Sequence, residues 1–125
     1  MQIHESAEDY LENILIVSEE KGSVRSIDIV NKMNFSKPSV SVAMKRLREE
    51  GKITVDENGF ITLTETGREI AETIYARHKF FTKLLMTMGV DAETAAEEAC
   101  HMEHDISQDT FEKMRRFVDE HGFVD

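Results

Sequence analysis

The stretch 36-SKPSVSVAMKRLREEG-51 decides the fold. Ser36 carries the hydroxyl that caps a helix, and Pro38 falls in the first turn, where its missing N–H costs little. Val40, Ala43, Met44 and Leu47 then recur at helical spacing and predict a buried stripe, which Gly51 terminates. The opposite face presents Lys37, Ser39, Ser41, Val42, Lys45 and Arg46. A helix with one apolar and one cationic face packs on one side and offers the other to a polyanion.

The flanks give this helix its context. Upstream, Ser6-Ala-Glu-Asp9 reads as an S-x-x-D cap opening a helix to about Glu20, with Leu11, Ile14, Leu15 and Ser18 inward and Lys21-Gly22 as its end. Ser26 is expected to cap a short helix, Ile27 to Met33, with Ile27 and Val30 inward. Downstream, Ile53-Thr-Val55 and Phe60-Ile-Thr-Leu63 flank Asn58-Gly59, a hairpin signal. Three helices, the third basic, followed by a hairpin make a winged helix-turn-helix.

Thr64 then caps a long helix with Ile70, Ile74, His78, Phe81 and Leu85 as its buried stripe, ending at Met88-Gly89. Asp91 caps a helix expected to run through 99-ACHMEH-104, and Ser107 caps a last one with Phe111, Met114, Phe117 and Val118 apolar. The fold class is therefore mainly α, a winged helix-turn-helix over residues 1–63 followed by a helical domain over 64–125.

Composition bounds the function. A chain of 125 residues holds one domain or two small lobes, and a hydrophobic content of 40% is that of a globular protein. No apolar run approaches the ~20 residues of a membrane span, and the acidic MQIHESAEDY start lacks the apolar region of a signal peptide. The single cysteine forms no internal disulfide, so the expected setting is a reducing cytoplasm. Net charge is −10, yet Gly22–Lys52 holds seven Lys/Arg against three Asp/Glu, a local +4 that leaves −14 elsewhere. That basic island is the footprint of double-stranded DNA binding. Ser36, Lys37, Pro38 and Ser39 form the helix start, where backbone N–H groups favour a phosphate. Lys45 and Arg46 reach phosphates or guanine edges, Ser41 shares their face, Val42 offers a thymine methyl an apolar contact, and Arg25 is a further phosphate contact. Any one of these cations, taken singly, is more simply solvated surface charge.

A second constellation carries metal-ligand chemistry. Asp9 and Glu12 are three apart on the first helix, His78 lies on the long one, and Cys100, Glu103 and His104 share a face if 99–104 is helical. Each has a plainer reading: a capping acid, a surface acid, a hydrogen-bonded core histidine, a small buried thiol. Six such groups on three helices are harder to dismiss together. The paired short-spaced cysteines of structural zinc are absent. Carboxylates with imidazoles suit Mn²⁺, and one thiolate pulls toward Fe²⁺, Co²⁺ or Zn²⁺. No H-E-x-x-H, Ser-His-Asp or P-loop element points to an enzyme.

The landmarks 8-EDYLENI-14, 36-SKPSVSVAMKRL-47, 62-TLTETG-67, 77-RHKFF-81 and 98-EACHMEHDIS-107 resemble the diphtheria-toxin-repressor family of metal-dependent bacterial repressors, which includes the manganese transport regulators. The resemblance implies a cytoplasmic homodimer whose winged helices bind a palindromic operator, whose C-terminal helices dimerise, and whose metal ties the first helix to those helices. It implies a metal set of Asp9, Glu12, His78, Glu103 and His104, with Cys100 where the manganese branch places a glutamate and the iron branch a cysteine. The iron branch has a methionine at the Asp9 position, and its second site needs an acid where this chain has Thr82. Mn²⁺ or Fe²⁺ is thus the expected cofactor, with Co²⁺ or Zn²⁺ as stand-ins in vitro, and metal-uptake genes the expected targets. At this length the chain is expected to lack the SH3-like domain of longer relatives. His101, one step round the helix, points away from the ligand face and is read as surface, with a minor second-site ligand as the alternative. Two rival readings are a repressor sensing an organic ligand among Phe80, Phe81, Leu84 and Met88, and a small metalloenzyme with Glu103 as base.

Overall fold

In the computed structural model residues 2–122 are described, with side chains from Ala7 onward. The elements run α1 (Gln2–Lys21), α2 (Ser26–Met33), α3 (Lys37–Glu49), β1 (Ile53–Val55), β2 (Ile61–Leu63), α4 (Glu65–Thr87), α5 (Ala92–Met102) and α6 (Gln108–Glu120). The chain divides into two units, Met1–Thr73 and Ile74–Asp125, so that α4 contributes to both.

In the first unit α1 packs on α2, α3 and β2, and α3 packs on β1. Tyr10, Leu11, Ile14, Leu15 and Val17 of α1 are buried with Val24, Ile29, Val40, Met44, Leu47, Ile53, Ile61 and Leu63. Val40, Met44 and Leu47 realise the stripe expected of α3. The Ser36 hydroxyl accepts the Ser39 N–H at 3.2 Å, as a capping serine does.

Three expectations are corrected here. The first helix starts at Gln2, so Ser6 lies inside it rather than at its start, since nothing in Gln2–Glu8 breaks a helix; the Ser6 side chain lies outside the described residues. The second helix starts at Ser26 with Arg25 as its cap residue, whose N–H donates to Asp28 Oδ2 at 2.8 Å. Its buried residue is Ile29, while Ile27 is exposed and Val30 half-buried. In eight residues the apolar positions 27, 29, 30 and 33 allow two faces, and packing selects the one centred on Ile29.

The hairpin pairs Ile53 with Leu63, Thr54 with Thr62 and Val55 with Ile61, antiparallel. Phe60 falls in the loop rather than the strand. Asp56 organises that loop: its Oδ1 accepts the N–H groups of Asn58 and Phe60, both at 2.9 Å, while Gly59 takes the left-handed conformation at φ 85°. Thr64 caps α4 through a 3.2 Å bond from the Gly67 N–H, and donates its own hydroxyl proton to the Gly51 carbonyl at 2.7 Å.

In the second unit Phe81, Ala99 and Phe111 form the core, with Phe80, Leu84, Met102, Ile106 and Met114 packed against it. Phe80 meets Phe81 and Phe111 edge to face at centroid distances of 5.4 and 5.3 Å. Phe117, expected among the apolar positions of α6, is exposed and stacks on His121. Asp91 and Ser107 cap α5 and α6 by accepting the Thr94 and Thr110 N–H groups. Among the described residues no helix is long and apolar enough to cross a membrane.

Candidate metal centre and nucleic-acid interface

The second unit brings three of the expected ligands together. His78 on α4, Cys100 on α5 and Glu103 at the end of α5 each offer a donor atom, and the three atoms lie within 4.8 Å of one another. Donor atoms this close together can converge on one ion, whose metal–ligand bonds run at roughly 2.0–2.3 Å. Glu103 is 0% exposed, and its Oε1 lies in hydrogen-bond contact with His78 Nδ1 at 2.9 Å. His104 also faces it, with Nε2 3.7 Å from Glu103 Oε2.

The backbone that delivers these groups departs from the sequence reading in one respect. α5 ends at Met102, Glu103 is its C-cap at φ −67° and ψ −18°, and His104 lies in the turn beyond. Cys100 and Glu103 therefore keep their helical relation, and the Glu103 N–H still bonds the Ala99 carbonyl at 3.0 Å. His104 reaches the carboxylate from the turn instead of from the helix face. Cys100 is exposed and Glu103 sealed, so the cluster opens at its sulfur end. His101 is exposed, as expected of a residue one step round the helix.

Oxygen, nitrogen and sulfur donors around a carboxylate withdrawn from water suit a divalent cation, whose charge offsets the cost of burying the carboxylate. Asp9, half-buried, and Glu12, buried, belong to α1 in the first unit. Asp9 sits mid-helix rather than in a capping box, its carbonyl accepting from Asn13 Nδ2 at 2.8 Å.

One arginine escaped the sequence reading. Arg77 precedes His78, is only 7% exposed, and bonds the turn that carries Glu103 and His104. The dipeptide Arg-His was visible, but its acceptors lie 26 to 31 residues further on.

The proposed nucleic-acid face lies in the first unit. Ser36, Lys37, Pro38, Ser39, Ser41, Val42, Lys45 and Arg46 are all exposed, Val42 at 62%. A large apolar side chain left in water on a polar helix face is available to a partner. Arg25 is exposed but held: its guanidinium donates to the Asn58 carbonyl in the wing and lies 4.6 Å over the Phe60 ring. It thereby ties the start of α2 to the tip of the wing.

The residues proposed for an organic-ligand pocket scatter. Phe81 is core, Phe80 and Leu84 pack on it, and Met88 is 71% exposed.

Comparisons with known proteins cover nearly the whole chain. The family model described as the iron dependent repressor, N-terminal DNA binding domain, matches residues 2–59. That described as the iron dependent repressor, metal binding and dimerisation domain, matches residues 64–123. The chain is 32% identical over 118 residues to the transcriptional regulator MntR of Escherichia coli, covering 94% of this chain and 76% of that protein. It is similar in structure to the manganese regulator SloR, with a TM-score of 0.80 and 31% identity over 90% of this chain and 53% of that one. A manganese-dependent transcriptional repressor in complex with manganese matches with a TM-score of 0.77 and 27% identity, over 94% of this chain and 53% of that one. The chain thus spans about half the length of those two structures.

Proposed function

The chain belongs to the iron-dependent repressor family of metal-dependent, DNA-binding transcriptional repressors, and from that footing we propose that Mn²⁺ or Fe²⁺ is its co-repressor, that it binds a palindromic operator as a homodimer in the cytoplasm, and that the genes it silences serve metal uptake. It is a regulator rather than an enzyme. The functional division we propose is residues 1–63 for DNA and 64–125 for metal and dimerisation.

The observation that carries the reading is the sealed Glu103 carboxylate with His78 and Cys100 beside it. His78, Cys100, Glu103 and His104 would hold the ion, and Asp9 and Glu12 complete the proposed donor set. The ion supplies positive charge among acidic groups. The rest of the mechanism belongs to the chain's own residues. Gathering Asp9, Glu12 and Glu103 would bring like charges together, and that repulsion would oppose the arrangement until a cation is bound. Its relief favours the arrangement in which the basic face of α3 meets DNA. A coupling of about 1–3 kcal/mol is enough, since it changes affinity by roughly 5–150-fold. On the DNA, Ser36, Lys37, Pro38 and Ser39 offer the start of α3 to a phosphate. Lys45 and Arg46 add cations, Ser41 and Val42 face the base edges, and Arg25 adds charge beside the wing. Manganese in the names of relatives favours Mn²⁺, and the thiol of Cys100 favours Fe²⁺.

The test is fluorescence anisotropy against DNA from upstream of the chain's own gene and of metal-uptake genes. It is run anaerobically at one fixed salt concentration with EDTA, then Mn²⁺, Fe²⁺ and Zn²⁺. A rise in affinity of about tenfold or more with Mn²⁺ or Fe²⁺ is expected, within the range of allosteric coupling. Equal binding in EDTA refutes the metal switch.

A further inference from the structure

We propose that Arg77 is a positioning residue for the metal centre, a strap that sets the turn bearing Glu103 and His104 before any ion arrives. The inference rests on the metal reading above but makes its own claim about the metal-free protein.

Arg77 is nearly sealed from solvent, where a guanidinium is costly unless it is hydrogen-bonded, and its two Nη groups carry those bonds while its Nε–H is buried without an acceptor. Its Nη1 donates to the Glu103 carbonyl at 3.0 Å and to the Ile106 carbonyl at 2.8 Å. Its Nη2 donates to Gln108 Oε1 at 2.9 Å, and its guanidinium carbon lies 5.5 Å from the centroid of the Phe111 ring. These acceptors span the connection between α5 and α6, residues 103–107, which has no ladder of its own. The planar fork of donors fixes three points of an irregular turn at once, which lysine's single ammonium does less completely.

The neighbour of Arg77 does the complementary task. His78, next along α4, bonds the Glu103 side chain at 2.9 Å while Arg77 bonds its main-chain carbonyl. Two consecutive residues of one helix, about 100° apart round its axis, grip the same glutamate at its two ends. Both the position of its backbone and the direction of its carboxylate are thereby set. A guanidinium has no lone pair to offer a cation, so Arg77 acts through the ligands rather than as one. A turn already in place leaves less conformational entropy to lose when donors converge on an ion.

The experiment uses the full chain as wild type, Arg77→Gln, Arg77→Lys and Gln108→Ala. Anaerobic Co²⁺ titration followed by its visible bands gives metal affinity. Hydrogen exchange of residues 103–107 in EDTA reports the turn, and a urea midpoint in EDTA reports the fold. Arg77→Gln is expected to weaken Co²⁺ binding by about 10–100-fold, the usual cost of losing a group that orients a ligand, and to speed exchange in the turn. Arg77→Lys recovers part of both. Gln108→Ala removes only the outermost bond and costs about threefold. Wild-type Co²⁺ affinity in folded Arg77→Gln overturns the proposal, even if the urea midpoint falls, because Arg77 would then serve the fold alone. Should Arg77→Gln not fold, unchanged affinity in both Arg77→Lys and Gln108→Ala overturns it instead. A wild type that binds no Co²⁺ refutes the metal reading; the strap then stands or falls on whether the variants speed exchange in the metal-free turn.

Discussion

Gly67→Ala is expected to destabilise the protein by about 2–4 kcal/mol, where helix propensity alone predicts a gain of about 1 kcal/mol. A Cβ built on Gly67 would lie 1.9 Å from the Lys52 carbonyl oxygen and 2.9 Å from its carbon. Both are backbone atoms, so no side chain can swing aside. Relief requires the start of α4 to move more than 1 Å off the α3–β1 corner, by ordinary contact distances. That corner is held by the Thr64 N–H to the Lys52 carbonyl at 3.1 Å and the Thr64 hydroxyl to the Gly51 carbonyl at 2.7 Å. Losing two bonds costs about 2 kcal/mol, and overpacking adds about 1–3, against the propensity gain of about 1. The assay is urea unfolding of the full chain in EDTA, followed by circular dichroism at 222 nm. A variant as stable as wild type, or more stable, would refute the reasoning, because the two effects have opposite signs.

Glu103→Gln keeps shape and removes charge; it should lower Co²⁺ affinity by more than the roughly 10–100-fold that a merely supporting group costs, measured by titration under exclusion of air. Asp28 accepts from Lys21 Nζ at 2.5 Å and from the Arg25 N–H at 2.8 Å, and these bonds hold its carboxyl below the usual carboxylate range. The stability it contributes is present above its unfolded pKa of about 4 and is lost as pH falls through the folded value. Asp28→Asn should therefore unfold at lower urea at pH 7, by an amount on the order of 1 kcal/mol or less, and match wild type near pH 2. Lys45→Ala should weaken operator binding and flatten the log K against log salt slope by about 0.9 if it meets one phosphate; an unchanged slope, read by anisotropy at four salt concentrations, would remove Lys45 from the interface.

Local signals carried the sequence reading at four helix starts and failed at that of α2, although its Arg25–Asp28 bond is equally short-range. Ser36, Thr64, Asp91 and Ser107 cap their helices because each hydroxyl or carboxylate finds an N–H three residues on. The stripe of α3 was legible because thirteen residues allow only one apolar face. The eight residues of α2 allow two, and the choice of Ile29 over Ile27 belongs to the neighbouring helices. The end of α5 is also non-local. Nothing in ACHMEH stops a helix; it ends at Met102, and the Glu103 carbonyl beyond that end accepts from Arg77, 26 residues earlier. The same distance hid Arg77 itself. Cys100, Glu103 and His78 could be suspected from chemistry, whereas their convergence depends on how α4 and α5 pack around Phe81 and Ala99.

The position of Glu103 at the end of α5 has an electrostatic consequence. The aligned peptide dipoles of a helix place about half a negative charge at its C-terminus, where cations are welcome and anions are not. Here a carboxylate is added to that end, and the eleven residues of α5 point their field into the same place. Arg77 answers it from the carbonyl side. On the carboxylate side, the backbone itself attracts positive charge, without regard to which ion carries it. The field thus supplies strength of binding but no discrimination among divalent cations. Discrimination would fall to the other donors of the proposed set, and of these the sulfur of Cys100 is the one that would distinguish a soft ion from a hard one.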